Sequence, residues 1–301
     1  MRDVSSKYLS LRTAKATATL KVSTGTIEAI KSGNVPKADP LAVAKVAAIQ
    51  AAKNTSLLIP YCHQVPLDFV DVRCEIRDSR IEISAEVKAI WRTGVEMEAL
   101  IAASTAALTL YDMLKIIDDS LVIEQVKLIE KKGGKSEINE IGEGAKAAVL
   151  VISDSVSAGM KEDTSGKLLV EHLKSFQLSS VNYIIVPDDR TCIEKELKHF
   201  ADVEKVDLIV TTGGTGVGPR DVTPEATRSV IERELEGVEE ALRNYGQERT
   251  PYAMFARQVV GVRGKTVIVN LPGSRKGVED GLNALLPTVF HLFAMLEGKG
   301  H

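Results

Sequence analysis

An α+β, ferredoxin-like domain followed by a three-layer α/β domain with a mostly parallel sheet is the architecture the sequence predicts, and three observations predict it. The chain has 301 residues, more than one typical domain, so two cores are the default expectation. Up to about residue 130 strands with alternating polarity lie beside long helices, and after about 146 short uniformly apolar runs alternate with helices. Between these patterns "KKGGKSEINEIGEGAK" (131–146) holds four glycines and many charges. It reads as a connection. The expected boundaries are 1–136, a linker at 137–145, and 146–301.

In the first domain "DPLAVAKVAAIQAAK" (39–53) opens a helix, with Asp39 as N-cap and Pro40 in the first turn. "VDVRCEIRDSRIEISAEVKAI" (70–90) gives two alternating strands around Asp78 and Ser79, a hairpin. "VEMEALIAASTAALTLYDMLKII" (95–117) is a long alanine-rich helix, and "SLVIEQVKLIE" (120–130) is a last strand. Paired strands beside helices predict an antiparallel sheet covered by helices.

In the second domain "AAVLVIS", "VNYIIVP", "VDLIVTT" and "KTVIVNLPG" read as strands apolar on both faces, as in a parallel sheet buried between two helical layers. Helices are expected near 164–177, 191–201, 224–235 and 277–297. The sequence contains no internal repeat and no low-complexity tract.

Composition narrows the function classes. With 44% hydrophobic and 26% charged residues, the chain is an ordinary globular protein. A formal net charge of -3 supplies no broad basic field, so nucleic acid is not an expected partner. Cys62, Cys74 and Cys192 are odd in number and lack CxxC spacing, which argues against a disulfide framework or a zinc site. No apolar run approaches the roughly 18 residues of a membrane span, and the start has no apolar leader. A cytoplasmic protein without a membrane partner is expected.

The stretch "TTGGTGVGPRDVTPEAT" (211–227) carries the chemistry of the second domain. Ligands of open α/β sheets bind at the carboxyl ends of strands, and "VDLIVTT" runs directly into Gly213. Glycines there let backbone N–H groups approach an anion, and the following helix, with Thr223 as N-cap and Pro224 at N1, adds its dipole. It is neither common nucleotide fingerprint, because both GxGxxG and the Walker pattern fail at Pro219. A bare strand-to-helix turn without ligand is the plain alternative. Three further loops end strands in polar or glycine-rich groups: Ser153, Asp154 and Ser155; Asp188 and Asp189; Pro272, Gly273 and Ser274. One cleft could collect all four loops. Asp188 and Asp221 offer hard oxygen ligands suited to Mg²⁺ beside substrate phosphates, although an aspartate after a strand commonly just caps a helix.

"SDSVSAG", "VPDD", "TTGGTGVGPRDVTPEAT" and "NLPGS" stand in the order of the molybdopterin adenylyltransferase family, the MogA/MoaB group, which 146–298 resembles. The resemblance implies transfer of AMP from Mg-ATP to the terminal phosphate of molybdopterin, with release of pyrophosphate. It implies Asp188 and Asp221 as functional and metal-holding aspartates, Gly213, Gly214, Thr215 and Gly216 as the ligand loop, and Ser153, Asp154, Ser155, Thr212, Pro272, Gly273 and Ser274 as substrate contacts. Mg²⁺ would come with ATP, with no tightly bound cofactor. A molybdopterin-binding scaffold without catalysis is the alternative from another class.

In the first domain "LIPYCHQVP" places His63 beside Cys62, a lone histidine that is structural as readily as catalytic. Glu96 and Glu98 sit at a helix start, where the dipole favours anions. Asp112 and Lys115 are neighbours on one helical face, the geometry of an ordinary ion pair. If one helix runs unbroken from Glu98 to Asp112, roughly 21 Å separates them. A site using both needs a second chain.

"DVSSK", "AAIQAAKNTSLLIPYCH", "TGVEMEALIAASTAALTLYDMLK" and "KKGGKS" resemble the cyclic pyranopterin monophosphate synthase family, MoaC, over 1–136. The resemblance implies conversion of 3′,8-cyclo-7,8-dihydroguanosine triphosphate to cyclic pyranopterin monophosphate and pyrophosphate. It implies Lys37, Lys53, His63, Glu96, Glu98, Asp112 and Lys115 as catalytic positions, with Cys62 and Met97 as substrate contacts. Two departures are visible: Gln64 stands where the family has proline, and Ala38 where it has glycine, a residue that reaches positive φ less easily. Both families form oligomers, so a homo-oligomer with threefold symmetry is expected. Sulfur insertion separates the two implied steps, so simple channelling is a poor reason for the fusion.

Overall fold

A computed structural model describes residues 1–134, 137, 140 and 142–298. The chain forms two compact units, Met1–Glu137 and Ile138–His301. The expected linker at 137–145 and the end of "KKGGKS" lie partly outside the described residues.

The first unit runs β1 (Ser10–Lys21), α1 (Thr24–Lys31), α2 (Pro40–Lys53), α3 (Thr55–Leu58), β2 (Phe69–Ile76), β3 (Arg80–Trp91), α4 (Glu96–Leu114) and β4 (Val122–Lys132). Its four strands form one sheet in the order β2-β3-β1-β4, antiparallel throughout. The hairpin turns at Asp78–Ser79, and Asp39 caps α2 by accepting from the Leu41 and Ala42 amides. β1, α1 and α3 are elements that the sequence reading lacks, and β1 is the longest of them. It occupies the sheet interior, yet its buried face is Arg12, Ala14, Ala16, Ala18 and Leu20, so its alanines give too weak an apolar alternation to read as a strand.

Alanine also lines the facing helices. Ala44, Ala48 and Ala52 of α2 recur at helical spacing and are buried with Ala99, Ala102, Ala103, Ala106 and Ala107 of α4. Small side chains let the backbones approach closely. α4 is long and apolar enough by length and composition to cross a membrane, which corrects the expectation that no run qualifies. Half of it is buried inside the unit, as befits a core helix.

The second unit continues with β5 (Lys146–Ile152), α5 (Asp154–Ser157), α6 (Ser165–Lys174), β6 (Ser180–Val186), α7 (Arg190–Lys198), β7 (Leu208–Thr212), α8 (Thr223–Val230), β8 (Arg233–Glu234), α9 (Glu236–Gln247), β9 (Val260–Arg263), β10 (Thr266–Leu271), α10 (Arg275–Leu285) and α11 (His291–Leu296). Six strands lie in the order β6-β5-β7-β10-β9-β8. The first four are parallel, and β9 and β8 add antiparallel. Alternate residues of β5 feed two separate cores, Ala147, Val149 and Val151 in one and Ala148, Leu150 and Ile152 in the other. Helices therefore cover both faces.

The structure corrects several expectations here. α8 stops at Val230, because the chain then joins the sheet edge as β8. Pro287, which has no N–H, separates α10 from α11. β6 is an edge strand with Tyr183 and Ile185 partly exposed, so it is not apolar on both faces. β9 and α9 are not among the expected elements; "EGVEEALRNYGQ" buries only Glu239, Leu242 and Tyr245. Thr223 is the first residue of α8 rather than its cap, and its hydroxyl donates to the Gly213 carbonyl at 3.0 Å.

Candidate functional site

Two groups of candidate residues lie in the first unit, at opposite ends of α4. The helix is unbroken from Glu96 to Leu114, so Glu98 and Asp112 stand roughly 21 Å apart along its axis.

At its C-terminal end, Lys37 donates to the Asp112 carboxylate and carbonyl, both at 3.0 Å. Lys115 meets the other carboxylate oxygen at 2.8 Å. Hydrogen bonds from Lys115 and Lys37 hold the Asp112 carboxyl below its ordinary range, and Asp112 in turn raises Lys115. All three side chains are exposed, so solvent screens the trio. The loop that brings Lys37 here passes through Ala38 at φ 71°, the left-handed region expected of the missing glycine.

At the N-terminal end the two glutamates diverge. Burial, reinforced by the Glu96 charge and opposed by a backbone amide, pushes Glu98 up to about 7. For Glu96 burial acts the same way but is outweighed, first by a hydrogen bond from Lys131, and its carboxyl is held low. The Lys131–Glu96 distance is 2.5 Å. Two carboxyls two residues apart are thus pushed in opposite directions, the arrangement from which an acid and a base can act together. Burial and then the Glu98 charge raise the Cys62 thiol, which places Cys62 near this group. His63 is half-buried, as is Met97 within α4. Lys53 ends α2 exposed, with no ion-pair partner among the described residues.

In the second unit the loops after β5, β6, β7 and β10 line one cleft of ≈ 330 Å³. Ser153, Asp188, Thr212, Gly213, Gly214, Gly273 and Ser274 of the expected set face it. Glycine is required where backbones touch. A Cβ on Gly213, at φ 109°, would stand 2.1 Å from the Ile152 carbonyl oxygen, and one on Gly273 would stand 3.2 Å from the Gly213 Cα. Thr212 Oγ1 donates to the Pro272 carbonyl at 2.9 Å and Ser165 Oγ to the Gly273 carbonyl at 2.9 Å. The glycine loops are therefore fixed from both sides.

Asp154 and Asp188 cross-link their loops by exchanging bonds: each carboxylate accepts the other's backbone N–H, at 2.8 and 3.0 Å. Arg220 reaches from the glycine loop to the second oxygen of Asp154. Asp189 caps α7, whereas Asp188 holds the first amide of α5. Asp221 instead accepts from the Gly218 amide at 2.7 Å and closes its own turn. Asp221, Thr215, Gly216, Asp154 and Ser155 are not among the cleft's lining residues, and Pro272 with Ser274 lines a neighbouring cavity.

Sequence reasoning missed several residues. Lys161 and Arg275 bring positive charge to the cleft. Asp163, buried, accepts three amides at the start of α6, those of Ser165, Gly166 and Lys167, and the Tyr183 hydroxyl. "EDTSGK" carries a helix-start signature that could have revealed it. Lys131 had only its place in "KKGGKS".

Comparison with known proteins decides the family. Residues 1–134 match the MoaC family and residues 148–291 the probable molybdopterin binding domain. Over 301 residues, all of this chain and 96% of its relative, the sequence is 43% identical to a molybdenum cofactor biosynthesis bifunctional protein of Chlorobaculum tepidum. The chain belongs to that bifunctional family. Its first half is also 47% identical to a cyclic pyranopterin monophosphate synthase of Limosilactobacillus fermentum, over 49% of this chain and 90% of that one. A crystal structure of the molybdopterin biosynthesis enzyme MoaB from Thermus thermophilus covers 52% of this chain and 98% of its own, at 42% identity and a TM-score of 0.48.

Proposed function

We propose that the first unit makes cyclic pyranopterin monophosphate at a site shared by two copies of the chain, and that the second adenylylates molybdopterin in the four-loop cleft. The chain is a bifunctional enzyme of molybdenum cofactor biosynthesis, with a MoaC-type and a MogA-type domain. The βαββαβ order and the β2-β3-β1-β4 sheet support a ferredoxin-like assignment for the first unit.

The observation that carries the adenylyl-transfer reading is the convergence of four strand-end loops on one cleft, with glycine backbone, Asp188 and the cations Lys161 and Arg275 in its wall. Nucleotidyl transfer needs phosphates held in line with their charge offset, and little covalent work from the protein. Mg²⁺ arriving with ATP fits Asp188: a Cβ on Gly214 would stand 3.3 Å from Asp188 Oδ1, so glycine keeps that oxygen accessible. The bound ion would supply charge neutralisation at the phosphates. Among the described residues no three His, Cys, Asp or Glu gather to hold a metal, so the ion would draw further ligands from phosphate and water.

For the first unit we assign Lys115 and Asp112 to proton transfer, Lys37 and Lys53 to phosphate charge or acid catalysis, and Glu98 with Glu96 to acid and base steps of ring opening and closure. A cytoplasmic homo-oligomer that takes small pterin and nucleotide substrates, with neither nucleic acid nor membrane as partner, completes the reading. Mass spectrometry of molybdopterin incubated with the purified protein and Mg-ATP tests the second activity. The wild type should give the adenylylated product and Asp188→Asn about 10²-fold less. No product from the wild type would reduce the cleft to a holding site.

A further inference from the structure

Arg257 lies outside the cleft and outside every motif singled out in the sequence, yet four of its hydrogen-bonding groups are spent on the glycine loop and the helix it feeds. Its backbone N–H donates to the Thr215 carbonyl at 2.9 Å. Its Nε donates to the Gly216 carbonyl at 2.7 Å and its Nη2 to the Asp221 carbonyl at 2.6 Å. Its Nη1 pairs with Glu225 in the first turn of α8. One guanidinium thus spans the loop from Gly216 to Glu225.

The peptide plane turns these bonds into an orientation. In a trans peptide the carbonyl and the following N–H point in opposite directions. With the Thr215 and Gly216 carbonyls held by Arg257, the amides of Gly216 and Val217 are directed away from it. Neither amide has an acceptor among the described residues. Thr223 does the same one step earlier, its amide and hydroxyl taking the Gly214 and Gly213 carbonyls at 3.2 and 3.0 Å. A loop whose carbonyls are taken from one side presents successive N–H groups on the other, the arrangement that binds an anion.

We propose that Arg257 is a positioning residue for nucleotidyl transfer, clamping the 215–221 carbonyls so that the loop amides meet the phosphates of the bound nucleotide. The inference rests on the adenylyl-transfer reading above. It requires the fork and not merely the charge, since three separate acceptors are engaged in one plane; lysine supplies a single point of attachment.

The full-length wild type, Arg257→Lys and Arg257→Ala are compared for Mg-ATP binding by calorimetry, for kcat and KM of AMP transfer to molybdopterin, and for melting temperature. Arg257→Lys should lose about 10²-fold in kcat, as a misplaced site does, while melting within a few degrees of the wild type. Added guanidinium ion should recover part of the Arg257→Ala rate. Transfer by Arg257→Lys at the wild-type rate, or no recovery of Arg257→Ala by guanidinium, overturns the clamp. If the wild type transfers nothing, adenylylation falls and the clamp is judged on binding alone. Mg-ATP held at least about tenfold more weakly by Arg257→Lys then supports it, and equal affinity overturns it. A wild type that neither binds nor transfers overturns both.

Discussion

Ala38 is strained for a purpose visible one residue away. It holds φ 71°, where a Cβ is unfavourable, and the loop it bends carries Lys37 to Asp112. Ala38→Gly should raise stability by about 1 kcal/mol, read as a shift in the urea midpoint; a fall instead would mean that the turn is held without strain. Glu98 makes a prediction with a definite sign. Its folded value of about 7 lies above the ordinary 4.5, so its contribution to stability is present in full below the unfolded value and is lost as pH rises through the folded one. Between about pH 4.5 and 7 the wild type should lose stability relative to Glu98→Gln. Parallel pH profiles for the two proteins would show that Glu98 is ionised in the fold as it is in the unfolded chain.

Among the elements, α4 combines two roles, closing the core along its length and presenting a cluster at each end. Its buried alanines leave no room for growth, so Ala106→Leu, at a position with 0% exposure, should destabilise by about 1–3 kcal/mol in a denaturant titration. A neutral result would place a void beside Ala106. The elements that were legible in the sequence had a loud signal: Asp39–Pro40 before α2, the charged turn at Asp78, and the aliphatic runs of β5, β7 and β10. β1 was not, because Ala14, Ala16 and Ala18 bury a strand with side chains that patterning rates as nearly neutral. The candidate site followed the same divide. Glycines and aspartates at strand ends announced the cleft, whereas Arg257 acts through backbone carbonyls from outside it, and such a contact leaves no mark in local sequence. Asp221, read with Asp188 as a hard oxygen ligand, is not in the cleft lining, and one of its carboxylate oxygens accepts the Gly218 amide.

For the whole molecule, the separation of the two clusters by the length of α4 gives the shared-site reading its test. Asp112→Ala and Glu98→Gln each remove one cluster. Each alone should lower cyclic pyranopterin monophosphate synthesis about 10²-fold or more. Unfolded together and refolded as a mixture, they should regain part of the wild-type rate, since some pairings then unite two intact clusters. Continued inactivity of the mixture, with both variants folded, would assign each site to one chain.

The alanine seam between the first unit's sheet and its helices also bears on how this half of the chain can change over time. Where most cores can drift among leucine, isoleucine, valine and methionine, a buried alanine has only glycine below it and a clash above it. Neutral variation in this unit is therefore pushed outward, to its exposed sheet face and helix surfaces, while the seam itself stays close to a single solution.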